Sequence, residues 1–409
     1  MSDRLLFFEV CCGGMSLSCV HYVASKGRYC RLAPLPGKAV CIHHLADELV
    51  QETKFDYCVQ CKTRIAHLRF QKHLQKCPVR RRLQESQRQV YYNSNLNVAC
   101  EEVESSNPGY LDSEQFQILV EKIRQAQTFC RIFLHNTNSE NVSLGNTSFE
   151  HNNQGTFSGN TRDLLQCRAI ASTLEDFIGG KEVSGDVLVE LCAGRANLSA
   201  EVMKKIPFAK VVLIDRRPYR FKADRSLRRQ CDLHRLTIDL KDLDLYMIPA
   251  LHSSKVTVVG KHLCGEATDF ALTCCLSRVK ETQSAFHGML IAPCCHHSCK
   301  WDSFVNRPFL EQLGFSESDF HHLVRLSGWA SISQFSELRC DRYVARSEQG
   351  AEMRDRLTDL EKSKLGLQVK LILNVARVVW CQQNGLNVRL QEYVQRTVTP
   401  ENQILLIWS

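Results

Sequence analysis

No apolar stretch in this 409-residue chain reaches the length needed to cross a bilayer. Near the amino end Leu5-Leu6-Phe7-Phe8 is apolar, but Glu9 interrupts it and it is too short for a secretory core. Neither a membrane protein nor a secreted one is expected. A strong charge imbalance is also missing. The 52 Lys and Arg face 44 Asp and Glu, and the net charge of +8 permits a polyanionic partner without requiring one. The dinucleotide fingerprint Gly-x-Gly-x-x-Gly is absent, which argues against a nicotinamide or flavin enzyme. There is no internal repeat beyond two Cys/His clusters.

Cysteine is what the chain has in quantity. There are 21, and eight fall in the first 77 residues. In a reducing compartment such a segment points to metal rather than to disulfides, which places the protein in the cytoplasm or nucleus. The first cluster is Cys19-x10-Cys30-x10-Cys41-x2-His44 and the second is Cys58-x2-Cys61-x11-His73-x3-Cys77. Zinc takes four S or N ligands in a tetrahedron, and Cys-x2-Cys or His-x3-Cys supplies two of them from one turn. The second spacing is the stronger. The long gaps of the first fit buried thiols as well as they fit a metal site. His43 competes with His44, His67 lies spare in the second cluster, and Cys11 and Cys12 stand outside both. A segment this small has little apolar material, so structural zinc would supply most of its folding energy, on the order of 10–16 kcal/mol per ion. Two such ions are expected. Between Lys62 and Arg88 there are nine Lys/Arg and a single acid, Glu85, a run suited to phosphates or to a solvated helix face.

The rest alternates. A helix is expected near 112–134, with Ser113 as cap. An Asn/Ser/Gly-rich stretch follows at 135–161, then a helix over 162–178 that stops at Gly179-Gly180. Strands are expected at Val187–Leu191, Val211–Ile214, Leu236–Ile238, Val256–Val259 and Met289–Ala292, with helices near 197–205, 265–278, 303–313 and 355–383. A last apolar run spans Ile404 to Trp408. This alternation implies an α/β fold with a parallel, doubly wound sheet.

In such a fold the ligand crevice lies at the carboxyl ends of the strands. Glu190-Leu191-Cys192-Ala193-Gly194 joins a strand to a helix through small residues that admit a ligand close to the backbone. Asp215 and Asp239 end the next two strands. Three carboxylates in these places suit a nucleoside with a cationic appendage and no phosphate, and S-adenosylmethionine fits that description. The bland reading is three unrelated solvated acids. Lys261 and His262 follow the fourth strand, while His296 and His297 follow the fifth and are expected to face the same crevice. These four are the candidates for activating a nucleophile. A metal site within Cys294-Cys295-His296-His297 is cramped, because adjacent residues rarely chelate one ion. Asp269 caps or pairs within its own helix.

At this point the chain resembles the eukaryotic tRNA 2′-O-methyltransferases that modify nucleotide 4 of the acceptor stem. The likeness runs from about Cys19 to the carboxyl end. Gly-Lys-His-Leu-Cys-Gly-Glu-Ala-Thr-Asp (260–269) and Ala-Pro-Cys-Cys-His-His-Ser-Cys (292–299) carry it. Arg220-Phe221-Lys222, Ser327-Gly328-Trp329-Ala330 and the Cys19/Cys30/Cys41/His44 spacing support it. The resemblance implies a tail (1–18), a CCCH zinc finger (19–46) and a second finger of C2HC or CHHC type (56–80). A helical connector (81–160) and a Rossmann-like methyltransferase domain (161–409) would follow. Cys61 replaces a histidine of the family's second finger. The Lys-Asp-Lys-Glu tetrad of other 2′-O-methyltransferases has no counterpart. The implied roles are Glu190 or the Cys192-Ala193-Gly194 turn for the methionine head, Asp215 for the ribose and Asp239 for the adenine amino group. The implied partner is the tRNA acceptor stem, with no membrane and no protein partner. The rival reading is a zinc-finger RNA-binding protein with an inactive Rossmann-like domain. A lost turn glycine or lost sheet-end acids would favour that rival, and neither is seen.

Overall fold

A computed structural model of the chain describes residues 19–23, 28–35, 39–41, 44, 55–99, 109, 111–137, 159–180, 183, 185–217, 223–277, 286–334 and 357–409. The tail 1–18 with Cys11 and Cys12, His43, most of the Asn/Ser-rich stretch and Arg220-Phe221-Lys222 lie outside the described residues. The chain divides into two units, Met1–Arg88 and Gln89–Ser409.

The first unit contains two small antiparallel ladders, β1 (Tyr22–Val23) with β2 (Arg28–Tyr29), and β3 (Phe55–Cys58) with β4 (Thr63–Ala66). Two helices follow, α1 (His67–Lys76) and α2 (Pro78–Gln87). Cys77 separates them, and Pro78 starts the second, where a missing N–H costs nothing. Neither helix buries a residue. Every buried side chain described in this unit is a cysteine: Cys19, Cys30, Cys41, Cys58 and Cys77.

The second unit is a three-layer α/β structure. It begins with α3 (Ser113–Asn136) and α4 (Gly159–Ile178). The cap of α3 is Asp112, not Ser113. Its carboxylate accepts from the Gln115 amide at 2.8 Å, and the Gln115 side chain accepts in return from the Asp112 N–H. The strands and helices then alternate as β5 (Val187–Leu191), α5 (Asn197–Val202), β6 (Lys210–Asp215), α6 (Asp224–Leu227) and β7 (Asp232–Thr237). They continue as β8 (Val256–Cys264), α7 (Glu266–Leu276), β9 (Phe286–Cys294), α8 (Arg307–Gln312) and α9 (Glu317–Ser327). The chain ends in α10 (Asp359–Gln383), β10 (Asn387–Glu392) and β11 (Gln403–Trp408).

The seven strands run in the order β10-β11-β9-β8-β5-β6-β7. All neighbouring pairs from β9 to β7 are parallel, and β11 is antiparallel to both β9 and β10. This is the Rossmann-like fold expected from the sequence. Strand β10 carries only two apolar residues among polar ones, too few to mark it by period, and with β11 it adds an antiparallel edge to the parallel sheet.

Alternation along β5 sorts the core into two. Val187, Val189 and Leu191 join one cluster with residues of α3, α7, α9 and α10. Leu188 joins the other with residues of α4 and α5. Phe116, Leu119, Ile123, Ala126, Cys130 and Leu134 of α3 belong to the first cluster. The unit Gln89–Ser409 takes in α3, because a helical apolar stripe must be buried and α10 packs against it. The strand order reverses between β5 and β8, so the crevice of the open sheet opens at their carboxyl ends.

Candidate active site and metal centres

The turn after β5 is held from both sides. Cys192, Gly194 and Ala196 all have left-handed backbones, with φ of 51°, 49° and 60°. Two of these are not glycine, a local cost that the surroundings must offset. Asp215, at the end of β6, accepts from the Gly194 N–H at 2.9 Å and from the Arg217 N–H at 2.9 Å. Arg235 of β7 donates to the Gly194 carbonyl at 3.1 Å while its other nitrogens grip Asp224 at 2.7 and 2.9 Å. The Gly194 residue is thus clamped by a carboxylate and a guanidinium from two neighbouring strands. Sequence reasoning missed Arg235, since a single arginine within a strand carries no local signal.

Glu190 lies beneath this turn, buried. Its carboxylate accepts from both the backbone N–H (2.9 Å) and the hydroxyl (2.5 Å) of Ser199, which anchors the start of α5. Burial pushes its carboxyl up to about 7, against those hydrogen bonds. Cys192 and Gly194 of the turn are half-buried, whereas Glu190 is fully enclosed. Asp239, just after β7, accepts from the Lys241 N–H at 3.3 Å and stays partly exposed.

One strand over, β8 breaks its register with β9 between Lys261 and Leu263. His262 occupies the irregularity with φ 66°, and its side chain is 63% exposed. Such irregularities re-aim side chains next to functional sites. Lys261 instead turns inward. Its ammonium donates to the Asp163 carboxylate and, at 3.1 Å, to the Asp163 carbonyl. His262 Nε2 lies 3.6 Å from the same carboxylate, and the Asn197 amide donates to it at 2.9 Å. The His262 imidazole, with Lys261 and Asn197, outweighs burial and holds Asp163 well below the usual carboxylate range. The result is a Lys–Asp–His cluster at the switch point. Asp163 sits on α4, 98 positions before Lys261, and nothing in its own neighbourhood in the sequence marks it.

The histidines after β9 separate. His296 does not face the crevice: it is buried, bonded to Asn374 at 2.9 Å, with Glu401 at 3.6 Å. His297, next to it, is exposed. The reason is that both lie in one turn of 3-10 helix, His296–Ser298, where successive side chains point about 120° apart. Asp269 likewise leaves its own helix. It forms a fully buried pair with Arg377 of α10 at 2.7 and 3.1 Å. In Ser327-Gly328-Trp329-Ala330, both Ser327 and Ala330 are buried, and the Ala330 backbone packs where only Gly366 of α10 leaves room.

Both finger clusters come together. Cys19, Cys30, Cys41 and His44 place four donor atoms within 4.8 Å of one another, as do Cys58, Cys61, His73 and Cys77. Cys30 and Cys41 sulfurs are 3.9 Å apart, and those of Cys58 and Cys77 are 4.0 Å apart. Sulfurs bound about 2.3 Å from a tetrahedral zinc lie about 3.8 Å apart, so both sets fit that ion. The His44 Nδ1 is 3.3 Å from Cys19 and 3.5 Å from Cys41, and the His73 Nε2 is 3.4 Å from Cys61. A backbone hydrogen bond from Cys61 draws the Cys58 thiol down to about 6, toward the thiolate that zinc binds. His67 is outside the set, paired with Asp56 at 2.8 Å. The basic side chains Lys72, Lys76, Arg81, Arg82 and Arg88 are exposed and Arg80 is half-buried.

Comparison with known proteins gives two family matches. Residues 167–408 match the family described as Methyltransferase TRM13, and residues 17–45 match the CCCH zinc finger in TRM13 protein. A mouse protein (Mus musculus) named tRNA:m(4)X modification enzyme TRM13 homolog is 27% identical, over 95% of this chain and 93% of its own length. Its human counterpart (Homo sapiens) is 28% identical over the same shares. A fission-yeast protein (Schizosaccharomyces pombe) named tRNA:m(4)X modification enzyme TRM13 is 32% identical over 55% of this chain and 62% of its own.

Proposed function

The chain belongs to the TRM13 methyltransferase family, and from that premise we propose that it methylates the ribose 2′-oxygen of nucleotide 4 in the acceptor stem of tRNA, with S-adenosylmethionine as donor and zinc in its two fingers. The observation that carries this reading is the clamped Gly194 turn beside the Lys261–Asp163–His262 cluster, both at the switch point of the sheet. The donor, when bound, supplies a methyl group on a cationic sulfur that leaves as a neutral thioether.

The protein has then to place and activate the acceptor. The Cys192-Ala193-Gly194 turn meets the amino-acid head, Asp215 the ribose and Asp239 the adenine amino group. Holding two reactants in line is worth effective molarities of ~10⁵–10⁸ M. A positioned base or charge adds roughly 10²–10⁴-fold. Lys261, held on Asp163, is positioned as the fixed charge that steadies the oxygen. His262, exposed beside the same carboxylate, is the group free to accept the proton. The fingers and the basic face of α1 and α2 hold phosphates of the acceptor arm. A tRNA substrate also suits a location in cytoplasm or nucleus; no described helix is long and apolar enough to cross a membrane.

The test is labelled-methyl transfer to bulk tRNA, followed by nucleoside analysis. A 2′-O-methylated nucleoside at position 4 is expected. Tight tRNA binding without any transfer would favour the rival RNA-binding reading.

A further inference from the structure

Three thiols gather at the crevice in a way the finger sites make interpretable. Cys264 ends β8, Cys294 ends β9, and the register sets these two residues side by side. Their sulfurs are 3.5 Å apart. Cys295 turns back through its left-handed backbone, and the three sulfurs lie within 4.8 Å of one another. The same 4.8 Å limit encloses the donor atoms of each finger set. The adjacency of Cys294 and Cys295 argued for a cramped site when read along the sequence. The left-handed turn and the contribution of Cys264 from another strand remove that objection.

We propose that Cys264, Cys294 and Cys295 hold a third zinc ion. Each finger set has four donors, whereas this set has three, and among the described residues no further Cys, His, Asp or Glu joins it. Three protein ligands and one open position are the mark of a zinc site that takes a water or substrate oxygen. Zinc centres with cysteine-rich ligand sets of this kind activate a bound water in nucleobase deaminases. Cys264 is exposed and Cys295 half-buried, so solvent reaches the thiols from that side, while Cys294 is buried. The metal site itself is independent of the methyl-transfer reading. Only the identity of its fourth ligand, water or a ribose hydroxyl, rests on that reading.

The surroundings are prepared without metal. The Gly265 N–H donates to the Cys294 carbonyl at 3.0 Å, and the Ser298 N–H to the Cys295 carbonyl at 2.8 Å. Gly265 has φ 56°, and a Cβ there would strike the Ser298 backbone, so the two loops close against each other only because that residue is glycine. His296, one position beyond the thiols, is anchored to Asn374 of α10. Thiols held this way lose little freedom on binding a metal ion, which is the preorganisation a metal site needs.

Elemental analysis of the full chain, purified under reducing conditions, tests the proposal. Three zinc ions per chain are expected, falling to two in Cys264→Ser. The variant Cys30→Ser/Cys58→Ser, which disables both fingers, should keep one ion. Loaded with cobalt, it should show a thiolate-to-metal charge-transfer band that disappears when Cys264→Ser is added. The band in the finger-disabled protein, before Cys264→Ser is added, reads the site directly, so it decides the matter even where Cys264→Ser folds poorly. Two zinc ions in wild type, iron in place of the third zinc, or no cobalt band in the finger-disabled variant would each overturn the proposal. None of these results depends on methyl transfer, so the metal site and the proposed activity can fail separately.

Discussion

The two units of this protein are held together by different means. In the described part of Met1–Arg88, no helix buries a residue and the buried side chains are five cysteines. In Gln89–Ser409 two apolar clusters cover the opposite faces of a seven-stranded sheet. In the first unit the donor atoms that would recognise a metal are also the core. In the second, burial of apolar surface holds the frame, and polar groups are set into it at the strand ends. The same amino acid serves both: Cys130, Cys275 and Cys381 are buried among apolar side chains of the sheet cluster, as small hydrophobes.

Removing metal should break this symmetry most sharply. A strong chelator under reducing conditions withdraws on the order of 10–16 kcal/mol for each structural zinc. Residues 19–88 should become protease-sensitive and lose amide dispersion, while 89–409 keeps a cooperative melt. Survival of folded fingers in metal-free protein would show that something other than the ligand sets holds them.

Within the larger unit, Lys261→Ala should lower the single-turnover rate by about 10²–10⁴-fold with cofactor binding preserved. Lys261→Arg should keep much of the rate if the side chain serves as a fixed charge. Wild-type turnover in Lys261→Ala would move activation to His262. Frame and site can be separated at Arg377. Arg377→Met leaves Asp269 buried without its partner and should cost about 3–5 kcal/mol in denaturant unfolding. The finger zinc content should not change, and Asp269→Leu added to Arg377→Met should restore much of the loss.

Glu190 offers a pH test. Its carboxyl is raised by burial from 4.5 to about 7, so the folded state favours the neutral form. That contribution is complete below the unfolded value of 4.5 and is lost as pH rises through about 7. Glu190→Gln should therefore match wild type near pH 4 and exceed it above about pH 8 by about 3 kcal/mol. Equal stability at both pH values would mean that Glu190 stays ionised under the turn. The smallest effect is expected on the basic helix of the finger unit. Neutralising Arg80, Arg81 and Arg82 should weaken tRNA binding and flatten its salt dependence by roughly 0.7–0.9 per lost phosphate contact. An unaltered slope would make these arginines a solvated face.

Much of this was legible along the chain. The short Cys-x2-Cys and His-x3-Cys pairs marked the second finger set, whereas the long gaps of the first left it open between metal and buried thiols until the family resemblance was drawn. The apolar runs Val187–Leu191, Val211–Ile214 and Val256–Val259 marked three of the parallel strands, although the last strand runs on through Lys261 and His262 to Cys264. Helix α3 was visible as a helix but not as part of the main unit, because period shows that a stripe must be buried and not what buries it.

The sequence by itself determined which residue types stand at each strand end, and so the kinds of chemistry open to the site. Only the tertiary structure decided which of them face the crevice. His296 and His297 are neighbours, yet one is buried on Asn374 and the other exposed. Lys261 meets Asp163 from a distant helix, and Cys264 meets Cys294 across a register that carries an irregularity. The physical reason is that side-chain direction at these points is set by a turn of 3-10 helix, by left-handed residues and by contacts between strands and helices far apart in the chain. None of these leaves a local pattern, whereas period and ligand spacing do.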